Sequence, residues 1–206
     1  MKKLNNKGFT LIELLAVVVI LAVVMGIAMN SVLSSMNKAR GGSLQDTAQV
    51  IANAFNQKYT EALVGGVPTK VYSDVSGFST GYNFSSTKGY YIDTHLADTF
   101  NISTSNYVLG SGASSLTLSG TNATTGINTS FVVYNSTSGR FVVCMVANTS
   151  GSNYVDAFKV SAAVKLSELG TNGKPAGIKS NDSTYNSMGL AAGVMMACSD
   201  GTRTWN

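Results

Sequence analysis

Charge is the first thing this chain lacks: only 12% of its 206 residues are Asp, Glu, Lys or Arg. With 44% apolar residues, that balance excludes a disordered chain, which combines high charge with few apolar side chains. Proline is nearly absent, with two residues, and the composition is neither collagen-like nor cysteine-rich. The two cysteines, Cys144 and Cys198, form no CxxC motif and cannot make a four-cysteine zinc site. Two readings stay open for them. They form one disulfide if the compartment is oxidising and the fold brings them together, or they pack as two buried thiols.

Basic residues are also scarce outside the N-terminus. Three of the 14 lysines and arginines, Lys2, Lys3 and Lys7, lie in the first seven positions, leaving 11 basic against 10 acidic residues beyond. No basic stripe with interleaved aromatics survives, so the footprint of a nucleic-acid binder is missing and no nucleic-acid partner is expected.

What is present begins at residue 9. Residues 9–29 read FTLIELLAVVVILAVVMGIAM and carry one charge, Glu13. About 20 such residues suffice to cross the ~30 Å hydrocarbon layer as a helix. The lysines before the run favour a cytoplasmic N-terminus, which puts the rest of the chain outside. An ordinary secretory signal loses its apolar region on cleavage. Here the small residue joined to the basic segment, Gly8, precedes the run, so a cut after it would keep the membrane helix. Uncleaved, the segment would be a simple signal anchor.

The carboxylate at Glu13 needs an explanation, because a lone charge inside a bilayer costs roughly 2.5–3.5 kcal/mol on insertion scales. The stretch KGFTLIELL (Lys7–Leu15) followed by an apolar run resembles the signature of type IV prepilins and the related pseudopilins. The resemblance is close over about residues 1–30 and covers the remainder only in general layout. It implies that a prepilin peptidase cuts between Gly8 and Phe9 and methylates the new amine of Phe9. Phe9 and Glu13 are about 6 Å apart along a helix. Opposite charges at 4 Å attract by about 4 kcal/mol at an effective dielectric of 20, comparable to the insertion penalty. The resemblance implies that the Phe9 amine of one subunit pairs with Glu13 of the next, which sets the register of a filament. Snorkelling of Glu13 to the headgroups is the bland alternative.

The same resemblance implies a homopolymer of pilin subunits, an assembly ATPase and a membrane platform, with the cytoplasmic membrane as the place of residence before assembly. Many pilins of Gram-negative bacteria bend this helix at a proline that is absent here; Gly26 and the pair Gly41-Gly42 are the available weak points. The C-terminal region also lacks the closely bounded disulfide loop common in those pilins, which points to a Gram-positive-type system; the subunit expected from the resemblance is a major one. No cofactor, metal or catalytic residue is expected. A pseudopilin of a type II secretion system and a membrane-anchored monomeric binding module are the alternatives; an enzyme has the least support.

Beyond residue 30 the pattern becomes amphipathic. Leu44, Ala48, Ile51, Phe55, Tyr59 and Ala62 recur at steps of three and four and predict one buried helical face ending near Gly65-Gly66. The remainder reads as β-rich, with strands expected at 115–119, 129–134, 140–147 and 154–160 and an extension at 162–166. The run at 186–201 suits a strand or irregular segment better than a helix.

The expected organisation is a leader at 1–8, a membrane and polymerisation helix at 9–29, its amphipathic continuation at 30–64, and a β-rich head at 65–206. Within the head, 65–106 reads as connector and 107–206 as sheet and C-terminal region. The fold class is α+β, a long N-terminal helix packed by its second half on an antiparallel sheet.

Chemistry-bearing clusters in the head are thin. Asp93, His95 and Asp98 have a spacing compatible with a metal or acid–base site, but IDTHLAD reads equally as a capped short helix or loop. The segment from Gly170 to Lys174 lacks the phosphate-loop spacing and puts Pro175 where a hydroxyl residue belongs. Asn101-Ile-Ser103 and Asn135-Ser-Thr137 match the glycosylation triplet, as chance allows in a chain rich in Asn, Ser and Thr.

Overall fold

The computed structural model describes residues 10–66, 71–72, 81–84, 88–112, 114–117, 127–135, 139–148, 195–202 and 204–205. Gly8 and Phe9, the strand expected at 154–160, its extension at 162–166 and the 170–175 segment lie outside them. The chain divides into two compact units, Met1–Ala39 and Arg40–Asn206.

Helix α1 (Leu11–Val64) has 54 residues and is unbroken through Gly26, Gly41 and Gly42. Its first half is rich in Val and Ile, which in water suit a strand as well as a helix. In hydrocarbon only a structure that closes its own backbone hydrogen bonds is stable, and a helix does so within one segment. In the first unit every described residue is exposed, including Leu11, Ile12, Leu21 and Val24. Leaving such a side chain in water rather than burying it forgoes about 1.5–3 kcal/mol. A run of them requires lipid or another protein around it.

In the second unit the helix turns one face inward. Gly41, Leu44, Ala48, Ile51, Ala52 and Phe55 are buried. Tyr59 and Ala62, expected on the same face, are half-buried instead. The stripe reaches its end there: Tyr59 lies against Tyr134 and Phe141, with ring centroids 5.3 and 5.1 Å away.

The sheet has six strands: β1 (Lys88–Tyr91), β2 (Ser115–Thr117), β3 (Phe131–Asn135), β4 (Arg140–Ala147), β5 (Met195–Ser199) and β6 (Thr204–Trp205). Their spatial order is β2-β1-β3-β4-β5-β6, and each neighbouring pair is antiparallel. β4 is central and buried at every residue after Arg140, as its near-continuous apolar run requires. Side chains alternate between faces. Phe141, Val143, Met145 and Ala147 join the cluster that holds Leu44, Ile51 and Phe55, while the intervening Val142, Cys144 and Val146 are buried on the other face.

Phe55 is the hub of the core. Its ring lies 5.0 Å from Tyr72, 5.4 Å from Tyr82, 5.7 Å from Phe100, 5.9 Å from Phe141 and 6.0 Å from Phe84. The arrangement is α+β, with the amphipathic part of a long helix packed on an antiparallel sheet.

Candidate functional site

The first unit carries its chemistry at the start of α1. Thr10 is the residue before the helix, and its carbonyl accepts from the backbone N–H of Glu13 and Leu14 at 3.1 and 3.2 Å. Glu13 sits three residues on, in the first turn. Its carboxylate Oε2 accepts from the backbone N–H of Thr10 at 2.9 Å and from the Thr10 hydroxyl at 2.8 Å. The Glu13 N–H points back to Thr10 Oγ1 at 3.4 Å. This is a capping box, in which the two ends of a T-x-x-E pattern satisfy each other's free groups.

The capping box changes the energetic argument for Glu13. Two hydrogen bonds from Thr10 to one carboxylate oxygen satisfy part of what a carboxylate loses on leaving water for a bilayer. The attraction of an amine was the compensation expected from sequence. Thr10 supplies another from within the same chain. Sequence reading passed over it, although Thr10 followed three residues later by Glu13 is the capping pattern itself.

From Leu14 to Met29 the helix carries no polar side chain. From Thr10 to Asn37 Glu13 is the only ionisable residue, and the segment is long and apolar enough to cross a membrane. Its aliphatic side chains are open: Leu15 is 58% exposed, Ile20 61% and Ile27 73%.

In the head, the Asp93–His95–Asp98 cluster resolves into helix capping. Asp93 caps a short 3-10 turn (Thr94–Leu96): its Oδ1 accepts from the His95 backbone N–H at 2.7 Å and is also hydrogen-bonded to the His95 ring Nδ1. Asp98 falls in the first turn of the next helix, α2 (Ala97–Phe100). Among the described residues no three His, Cys, Asp or Glu side chains gather to hold a metal ion.

Tyr82 fixes the same corner. Its hydroxyl accepts from the Asp93 N–H at 3.0 Å and donates to the Tyr91 carbonyl at 3.2 Å. Burial pushes its phenol well above the usual tyrosine range, and the nearby Asp93 carboxylate adds to the effect against the hydrogen bond from the Asp93 backbone.

Cys144 and Cys198 stand opposite each other on β4 and β5, with Cα atoms 4.0 Å apart, and are joined by a disulfide. Both are fully buried on the sheet face turned away from α1. The bridge ties together two adjacent strands that are 54 residues apart in sequence.

Residues 3–29 match the family model described as the prokaryotic N-terminal methylation motif. No curated protein and no solved structure matches the chain. The matched span includes Gly8, Phe9, Thr10 and Glu13 and most of the exposed apolar helix. That motif marks a prepilin-type leader of the kind that precedes pilins and pseudopilins. The N-terminus is therefore a type IV pilin-like prepilin leader, followed by a helix long and apolar enough to cross a membrane.

Proposed function

We propose that this chain is a structural subunit, not an enzyme, and that it polymerises into an extracellular type IV pilus through residues 9–29. Residues 1–8 are removed by cleavage between Gly8 and Phe9, and the new Phe9 amine is methylated. In the membrane the subunit waits in lipid. Assembly exchanges lipid contacts for contacts between apolar helices, and the head, residues 65–206, is carried outward.

Within the filament the Phe9 amine of one subunit pairs with Glu13 of its neighbour and fixes the axial register. The observation that carries this reading is the methylation motif on a helix whose apolar residues are exposed throughout the first unit. The partners are further copies of the chain, the prepilin peptidase, an assembly ATPase and a membrane platform.

The test is the Glu13→Ala variant. It keeps the membrane helix and the cleavage site, so processing proceeds, while the sheared filament fraction loses most of the chain. Normal filament yield would refute the intersubunit pair. Microscopy of cells with and without the chain distinguishes a pilus, present outside only when the subunit is made, from a pseudopilin confined to the envelope.

A further inference from the structure

We propose that Thr10 is a positioning residue that holds the Glu13 carboxylate within its own chain while the subunit resides in the membrane. The inference rests on the filament reading only for its consequence, since the hold itself is a property of the single chain. Besides the backbone bond from the Glu13 N–H to the Thr10 carbonyl, three hydrogen bonds that involve a side chain connect the two residues, two of them to the same carboxylate oxygen, at 2.8 and 2.9 Å. No other ionisable side chain lies between Thr10 and Asn37 to take that oxygen.

The geometry has a direction. A glutamate at the third helical position that reaches its own cap is folded back along the helix axis toward the N-terminus, rather than outward into lipid. The Thr10 nitrogen it accepts from is bonded directly to the carbonyl carbon of residue 9. Cleavage after Gly8 would therefore create the new amine one residue from an oxygen already held in place. An incoming neighbour's amine meets a carboxylate fixed in position and shares or displaces the Thr10 donors, instead of recruiting a freely rotating side chain. Preorganisation of this kind favours association by reducing what must be ordered on binding. Valine at position 10 keeps the shape and the backbone N–H but loses the hydroxyl; serine keeps the hydroxyl.

The hold and the filament are tested separately. In the uncleaved full-length chain in detergent micelles there is no free Phe9 amine, so protection of the Thr10 amide from hydrogen exchange reports the hold alone. We expect that amide to exchange about tenfold faster in Glu13→Ala, the effect of losing a hydrogen bond to an ionised group. An unchanged exchange rate would overturn the hold. In cells, filament yield per processed subunit should fall several-fold in Thr10→Val, recover in Thr10→Ser, and show no further loss when Thr10→Val is added to Glu13→Ala. A Thr10→Val effect that persists undiminished in the Glu13→Ala background would show that Thr10 acts through something else. Absence of the unaltered chain from filaments would defeat the pilus reading and leave the exchange result to decide the hold.

Discussion

Asn56, on the buried side of α1, accepts the backbone N–H of Phe141 through Oδ1 at 2.9 Å. β5 ends opposite Val143, so at Phe141 the strand has no neighbour on that side, and the helix supplies the missing acceptor. The same amide donates through Nδ2 to the carbonyl of Asp200 at 3.2 Å, a carbonyl that also accepts from Arg140 Nε at 3.0 Å. One side chain thus joins the helix to the sheet and to the turn that follows it. Asn56→Ala would leave a partly buried strand N–H without its acceptor. Thermal or denaturant unfolding of the full chain in detergent should show a loss of about 1–3 kcal/mol in the head, with the membrane helix unaffected.

The β5–β6 turn has its own constraint. Gly201 has φ of +86°, and a Cβ built there would stand 2.2 Å from Asn53 Oδ1. Gly201→Ala should destabilise the head by at least about 1–2 kcal/mol from backbone conformation alone. Combining it with Asn53→Ala removes the collision but not the conformational penalty. The double variant should recover only part of the loss, measured by the same unfolding transition.

The disulfide gives a redox prediction. Closing a loop of this length is worth about 4 kcal/mol in the chain-entropy model. The Cys144→Ala/Cys198→Ala pair, or reduction under denaturing conditions, should lower the head's stability by an amount of that order. Thiol titration of the unreduced protein should detect no free cysteine.

Alkaline pH should weaken the head. Burial raises the phenols of Tyr82, Tyr91 and Tyr134 above the ordinary tyrosine value, and for Tyr134 the neighbouring Tyr59 adds to it. The folded state then retains protons that the unfolded chain releases above about pH 10. The stabilisation is complete below that value and declines as pH rises through the folded-state range. Tyr82→Phe should be less stable near neutrality by about 1 kcal/mol, having lost its hydrogen bonds, yet show a shallower alkaline decline. Unfolding monitored with tyrosinate absorbance tests both halves.

Much of the architecture was legible because its strongest signals are local. The apolar run, the stripe through Leu44, Ala48, Ile51 and Phe55, and the strand at Arg140–Ala147 follow from periodicity and continuous hydrophobicity. Of the run at 186–201, residues 186–194 lie outside the described residues, and Met195–Ser199 form a strand, as preferred over a helix. β1 was hidden inside what reads as connector. Lys88–Tyr91 is too short to display alternation and contains Gly89; pairing with β3 through Tyr90 to Val132 and Tyr91 to Phe131 makes it a strand. β6, with two residues, is likewise a product of its neighbour.

The site divides in the same way. Glu13 stood out because a charge in an apolar run is conspicuous, whereas the T-x-x-E pattern of Thr10 and Glu13 is short and common, and the hydroxyl 2.8 Å from the carboxylate shows that the cap forms. The sequence left open whether Cys144 and Cys198 meet. Their direct opposition depends on the β4–β5 register, a long-range fact that neither strand's residues reveal alone.

In the proposed pilus the chain is cut and then assembled through the end so created. Intact-mass measurement of the protein recovered from sheared filaments tests this directly. The expected species begins at Phe9, lacks residues 1–8 and carries one added methyl group on its terminal amine. Recovery only of single, unassembled molecules that still begin at Met1 would contradict it.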